Sequence, residues 1–200
     1  MNKIDKKYIV PGVIAAVVLV FALWIGGTYN GLVQDREKVT AAFSNIETQY
    51  QRRDDLIGNL VNTVKGSSNF EQETLTSLTE SRSKVGQVKI SADSSQQQIQ
   101  QYVDAQNQMT SSLSRLLAVA ENYPDIKSTA AYQDLMSQLE GTENRIQVAR
   151  SDFNNTARPY NARVQSFPTK IVAGLFNFEQ RAYFEAASGA DKAPTVDFSK

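Results

Sequence analysis

The 200-residue sequence contains neither cysteine nor histidine. Their absence excludes disulfides, thiolate nucleophiles, Cys/His zinc sites and Ser-His-Asp triads within these residues. It also excludes a ferritin-like di-iron bundle, whose Glu-x-x-His pairs require histidine. We therefore expect no catalytic residue, no metal ligand set and no cofactor. An enzymatic reaction here would depend on carboxylates, lysine, tyrosine or hydroxyl groups.

The sequence also lacks an excess of charge of either sign, since 21 basic residues balance 21 acidic ones. Its 10 glycines are scattered and form no phosphate-binding loop, and no stripe of basic and aromatic residues is present. A nucleic-acid partner is therefore not expected.

One long segment without charge lies near the N-terminus. No Asp, Glu, Lys or Arg occurs between Lys7 and Asp35, and the apolar run from Tyr8 to Gly27 is 20 residues long. At about 1.5 Å per residue, such a helix matches the roughly 30 Å hydrocarbon core of a bilayer. The segment predicts a membrane anchor through residues 8–27. A cleaved signal peptide is the alternative, disfavoured by the length of the run and by the lack of an A-x-A site before Tyr29.

Charges flanking the apolar run indicate its orientation. Lys3, Lys6 and Lys7 precede it, whereas the mixed sequence Asp35 to Lys38 follows it. This asymmetry favours a cytoplasmic N-terminus and an extracytoplasmic remainder, with the chain as a single-pass membrane protein.

Apolar residues beyond the anchor follow a helical period. Steps of four and three predict one long helix that ends near Gly66, with a core-facing seam at Leu32, Val39, Phe43, Ile46, Tyr50, Ile57, Leu60 and Val64. A capping box, Ser68-x-x-Glu71, predicts the start of a second helix that ends at Gly86.

Two further helices complete the predicted bundle. The third opens at Asp93 and Gln96, includes the Ser/Gln-rich stretch, and ends at the NYPD turn of residues 122–125. Its predicted core residues are Ile99, Val103, Gln106, Met109, Leu113, Leu116 or Leu117, and Ala120. The fourth helix carries its seam at Tyr132, Leu135, Leu139, Ile146, Ala149, Phe153, Tyr160 and Phe167.

The predicted fold class is therefore all-α. We expect a transmembrane helix followed by an antiparallel up-and-down four-helix bundle with long helices. The predicted boundaries are residues 1–28 for the cytoplasmic stub and anchor, 29–168 for the bundle, and 169–200 for a C-terminal capping segment and tail.

Charged residues interrupt the first seam at Arg52, Arg53, Asp54 and Asp55. Three residues after Tyr50 the seam reaches Arg53, which should face the other helices. An inward arginine requires a partner, because an unpaired buried charge is costly. Glu140 and Glu143 are candidates for that role. The alternative is an arginine that packs its stem along the seam and leaves its guanidinium in water.

Three pairs of carboxylates were considered for acid-base chemistry: Asp54 with Asp55, Glu71 with Glu73, and Glu140 with Glu143. Solvated helix faces carry such pairs far more often than catalytic clefts do. Asn154 and Asn161 lie seven residues apart and follow aromatic residues. They predict amides that bond across the bundle, or alternatively a polar ladder that recognises a partner helix.

The segment from Phe167 to Ala186 returns to the membrane end of an antiparallel bundle. Its apolar run of about ten residues is too short to span a bilayer. We expect it to cap the end of the bundle core. The alternatives are a segment lying in the lipid interface and a hybrid of the two.

Several motifs together resemble the LemA family. They are YNGLV at residues 29–33, QRRDDLIGNLVNTVKG at 51–66, AENYPDIKS at 120–128, LEGTENRI at 139–146, YNARVQSFP at 160–168 and YFEA at 183–186. The resemblance implies a bacterial protein with one N-terminal anchor, a four-helix bundle and no established enzymatic activity. It also implies a location in the bacterial inner membrane. Family members are often encoded near membrane metalloproteases or other envelope-quality genes, so the expected partners are unidentified envelope proteins, with membrane protease systems as candidates. Gly58, where the family usually has proline, and Pro159 depart from the pattern and could mark bends.

Three functions fit the sequence, in this order. The first is a non-enzymatic scaffold or interaction module that docks other envelope proteins. The second is an extracytoplasmic, sensor-like bundle that binds a ligand. The third is a carboxylate-dependent hydrolase of the envelope. We do not expect the chain to be an enzyme.

Overall fold

A computed structural model describes residues 6–66 and 70–185. The described residues form six helices and no strand, which confirms the all-α prediction. The helices are α1 (Lys6–Lys65), α2 (Gln72–Gln87), α3 (Gln96–Ala120), α4 (Pro124–Lys127), α5 (Ala130–Gln165) and α6 (Thr169–Leu175).

Helix α1 includes the apolar run and continues through the charged region without a break over 60 residues. It is the one helix among the described residues that is long and apolar enough to cross a membrane. Lys65 is its last residue and Gly66 follows, as the sequence predicted. The apolar run and the first bundle helix are therefore one continuous helix with no linker between them.

Helices α1, α2, α3 and α5 assemble as a four-helix bundle made of two close pairs. Helix α1 packs along α5, and α2 packs along α3. Gly31 lies against Arg163, and Arg53 binds Glu143, so α1 and α5 run in opposite directions. Residues of all four long helices share one apolar cluster, which holds the pairs together.

The bundle has two apolar clusters along its length. The first, at the end near the apolar run, contains Leu32 to Tyr50 of α1 and Ile146 to Val164 of α5. The second, at the far end, contains Leu56 to Val64 of α1 and Tyr132 to Leu139 of α5. All predicted seam residues of α1 are buried. Of the two alternatives for the α3 core, Leu116 and Leu117, it is Leu116 that is buried. Every seam residue predicted for the fourth helix is buried except Phe167.

Two predicted helix starts are wrong. Helix α2 begins at Gln72, after Glu71 in an extended conformation (φ −62°, ψ 113°) without a side-chain cap. Glu71 therefore does not occupy the third helical position of a capping box, and Ser68 lies outside the described residues. Helix α3 is capped by Ser95 and Gln98, which form a reciprocal capping box, and Asp93 lies in the preceding turn.

The prediction for Phe167 is also wrong, because α5 ends at Gln165 and the Phe167 side chain is 83% exposed. Short helix α6 then folds back onto the bundle. Asn177, at φ 55°, follows α6, and the Phe178 N–H donates to the Ala173 carbonyl at 2.9 Å. This αL cap reverses the chain and turns Phe178 into the core.

Candidate functional site

Arg53 lies at the boundary of the two apolar clusters. Its side chain is only 5% exposed, and its Nη1 donates to Glu143 Oε2 at 2.7 Å. Its Nη2 donates to the buried side chain of Gln106 on α3. The prediction of an inward arginine paired with an acidic residue is confirmed, with Glu143 as the partner, while Glu140 is exposed.

Aromatic residues surround this buried guanidinium. The Arg53 guanidinium lies 5.2 Å from the centre of the Tyr50 ring, and Tyr50 meets Tyr102 edge to face at 5.1 Å. Burial raises the pKa of Tyr102 to about 12, so the phenol is neutral at physiological pH. We call Tyr50, Arg53, Tyr102, Gln106 and Glu143 the polar layer. It ties α1 to both α3 and α5.

A second ion pair flanks the polar layer. Arg82 of α2 donates through Nε and Nη2 to both oxygens of Asp54, at 2.8 and 2.9 Å. The hydrogen bonds to Asp54 raise the pKa of Arg82. A Cβ atom at Gly58 would lie 3.2 Å from Arg82 Nη1, so the glycine leaves room for this guanidinium. Helix α1 continues through Gly58, and α5 continues through Pro159.

Two clefts open on opposite sides of the polar layer, where the helix pairs meet. One, of about 630 Å³, lies between α1 and the α2–α3 pair and is lined by Tyr50, Asp54, Arg82, Tyr102 and Gln106. The other, of about 510 Å³, lies between α3 and α5, and we call it the α3–α5 cleft. Its lining includes Leu113, Leu117, Met136, Glu140 and Glu143.

The members of two of the three candidate carboxylate pairs have different surroundings, and both members of the third are exposed. Asp54 binds Arg82, whereas Asp55 is exposed and accepts a hydrogen bond from Gln51. Glu71 and Glu73 are both exposed at the start of α2. Within the described ranges, no group of three or more acidic residues is placed to hold a metal ion.

Asn154 and Asn161 bind the chain's own C-terminal segment, residues 178–185, which runs in extended form along α5. The Asn161 side chain donates to the Arg181 carbonyl at 2.8 Å and accepts from its N–H at 2.7 Å. Asn154 makes the same two contacts with Phe184, at 2.8 and 3.0 Å. The predicted amide bonding is therefore present, but the partner is extended backbone rather than a helix.

Helix α3 holds the same segment from its other side. Gln96 donates to the Tyr183 carbonyl and accepts from its N–H, both at 3.1 Å. The buried Arg181 side chain pairs with Asp93 and lies 5.7 Å from the centre of the Tyr160 ring. Burial, with a smaller contribution from nearby Arg36, lowers the pKa of Arg181. The roles of Gln96 and Arg181 in holding this segment could not be predicted from the sequence, because their partners are distant backbone and loop groups.

At the membrane-proximal end, an ion pair joins α1 and α5. Arg163 Nη1 lies 2.8 Å from Asp35 Oδ2, and the guanidinium crosses Gly31, where any Cβ would collide with it. Burial acts to raise the pKa of Asp35, but hydrogen bonds and charge from Arg163 and Lys38 outweigh it and hold the pKa below its usual value. Gly31 thus leaves room for the Arg163 guanidinium in its pairing with Asp35.

The fold defines a class: a helical bundle built directly onto a long apolar N-terminal helix. The model of the LemA family matches residues 42–198. The chain belongs to the LemA family, as the motifs indicated, and is a membrane-associated protein of that family.

Two kinds of curated relative are similar to the chain. Protein LemA of Metamycoplasma hominis is 27% identical over 177 residues, which cover 85% of this chain and 78% of that protein. Magnetosome protein MamQ 2 of Paramagnetospirillum magneticum is 28% identical over 181 residues, covering 82% of this chain. The match spans 66% of the MamQ 2 length, slightly less than two thirds.

Proposed function

We propose that this protein is a non-enzymatic docking module of the bacterial cell envelope. One span, residues 8–27, anchors it in the inner membrane with its N-terminus in the cytoplasm. The bundle then lies outside the cytoplasm and binds other envelope proteins, with membrane protease systems as candidate partners. The unbroken helix α1 carries this proposal, because it fixes the bundle to the anchor without a flexible linker.

The α3–α5 cleft is the proposed docking surface. Its floor is formed by the partly buried side chains of Leu113, Leu117 and Met136, and Glu140 and Glu143 lie among its lining residues. An apolar groove with acidic residues matches an amphipathic helix that has one apolar face and a flanking lysine or arginine. The partner chemistry we propose is therefore a basic amphipathic helix of another envelope protein.

Photo-crosslinking in living cells tests this proposal. A photoreactive amino acid at Leu117 or Met136 should give a discrete protein adduct, whereas the same residue at Thr76, exposed on α2, should not. Charge reversal by Glu140→Lys should reduce the Leu117 adduct at least about tenfold, since repulsion at such contacts costs more than about 1.4 kcal/mol. Equal adducts at Leu117 and Thr76, or an adduct indifferent to Glu140→Lys, would reject the docking surface.

A ligand-binding bundle is the second candidate, and the cleft between α1 and the α2–α3 pair favours it. Its volume of about 630 Å³ is within the range of small-molecule sites, roughly 300–1,000 Å³. Tyr50 and Tyr102 offer aromatic surface there, and Gln106 and Arg82 offer polar groups. If this candidate is correct, a small molecule from native membranes should stabilise the protein but not a Ser83→Trp variant, in which the cleft is filled.

A further inference from the structure

Helix α6 has two faces of different character. Val172 and Ala173 are 1% and 2% exposed and pack in the membrane-proximal core. Ile171 and Leu175 lie one turn apart on α6, and Phe167 lies in the turn just before the helix; their side chains are 58%, 68% and 83% exposed, respectively. The inward face therefore packs on the end of the bundle core, and the outward side presents large apolar side chains that nothing in the described chain covers.

The position of α6 along α1 indicates what covers this face. The Tyr29 ring lies 4.8 Å from the ring of Phe176 and 5.6 Å from that of Phe178. Tyr29 is two residues beyond Gly27, the end of the apolar run, or about 3 Å along the helix axis. The interfacial layer on each side of a bilayer is roughly 5–8 Å thick. Tyr29 and the end of α6 beside it fall within that layer.

The charge of the surrounding chain suits the same location. From residue 153 to residue 178 the sequence contains Arg158, Arg163 and Lys170 and no acidic residue. Arg163 is held by Asp35, which leaves the exposed Lys170 of α6 available to phospholipid headgroups. Aromatic and aliphatic side chains beside basic ones are the composition of a membrane-surface helix.

We propose that the outward face of α6 is a second membrane contact of this protein. Phe167, Ile171, Leu175 and Phe176 insert into the interface of the same bilayer that α1 crosses, and Lys170 lies at the headgroups. The occupant of this surface is lipid. Together with the unbroken α1, this contact fixes the tilt of the bundle relative to the membrane, because a single helix alone leaves the bundle free to lean in any direction.

This inference requires the anchor but not the proposed docking of envelope proteins. It is tested on the full chain in vesicles of phosphatidylethanolamine and phosphatidylglycerol. The sequence has no cysteine, so a single introduced cysteine carries the only spin label. Labels are placed at Ile171 and Leu175, with controls at Val18 in the apolar run and at Val148, which is exposed on α5.

The measurement compares collisions of each label with oxygen, which concentrates in lipid, and with a water-soluble nickel chelate. We expect the labels at residues 171 and 175 to collide with the chelate at least about threefold less often than the label at residue 148. Their collision rate with oxygen should lie between those of the labels at residues 148 and 18. The Phe167→Ser/Ile171→Ser/Leu175→Ser variant, labelled at Phe176, should lose protection relative to the same label in the otherwise unchanged chain. Circular dichroism should show that its helices remain, because these side chains are exposed.

Two results would overturn the proposal. In the first, the labels at residues 171 and 175 are as accessible to the chelate as the label at residue 148, while the label at residue 18 remains in lipid. The membrane anchor would then be confirmed, but α6 would lie in water. If 171 and 175 are closed to both reagents and their spectra show spin–spin broadening, a second copy of the chain covers α6 instead of lipid.

Discussion

Asn161→Ala should lower the free energy of unfolding of the full chain by about 2–6 kcal/mol, because it leaves two buried backbone groups without a hydrogen-bond partner, at about 1–3 kcal/mol each. The Asn161 side chain is the hydrogen-bond partner of both the N–H and the carbonyl of Arg181. Both residues are buried, so water cannot replace the amide without opening the structure. Denaturant titration of the detergent-solubilised protein measures the change.

Asn155→Ala is the matched control, since Asn155 is exposed on the same helix. Its effect should remain below about 0.5 kcal/mol, as is usual for exposed positions. Amide hydrogen exchange at Arg181 should accelerate in the Asn161 variant and remain slow in the control. A change of the same size in both variants would show that Asn161 does not hold the C-terminal segment.

Arg53→Ala should lower the free energy of unfolding by about 1–3 kcal/mol, because the polar layer loses charge-assisted hydrogen bonds. The substitution removes the donors to Glu143 and Gln106 and the contact with the Tyr50 ring. The Glu143 side chain is 45% exposed, so water can partly solvate its carboxylate after the arginine is removed. The loss of stability should therefore be smaller than for a fully buried ion pair.

Arg52→Ala provides the comparison for Arg53, because Arg52 is the adjacent arginine and is exposed. We expect its effect to be under about 0.5 kcal/mol. Equally small losses for both arginines would mean that the charged stretch is a solvated face of α1 and that the polar layer does not stabilise the bundle.

The buried seams and the inward position of Arg53 were predictable from the sequence because they depend on the helical spacing of neighbouring residues. Every residue of the α1 seam is buried, and Arg53 follows Tyr50 by the step of three that keeps it on the same face. Glu143 was one of two acidic residues on the other helices that were named as candidates, and the structure shows that it is the partner.

Other features depended on groups far apart in the chain. Asn154 and Asn161 were recognised as a polar repeat, but the sequence has no signal that their partner is extended backbone 20 to 30 residues away. Ser95 rather than Asp93 caps α3, and Asp93 pairs with Arg181, which is distant in the sequence. The seam could not be extended to Phe167, since α5 ends two residues earlier and α6 turns back.

The proposed function depends on helix α1 passing without a break from the membrane into the bundle. A spin-label scan across residues 26–38 tests whether it does. Single labels are placed in turn along this stretch in vesicles, and access to oxygen and to the nickel chelate is recorded. We expect both profiles to oscillate with one helical period of about 3.6 residues throughout, with lipid access declining beyond Gly27 and water access highest near Glu37. Loss of that period, with uniformly mobile labels between Gly27 and Asp35, would show a flexible linker and contradict the account.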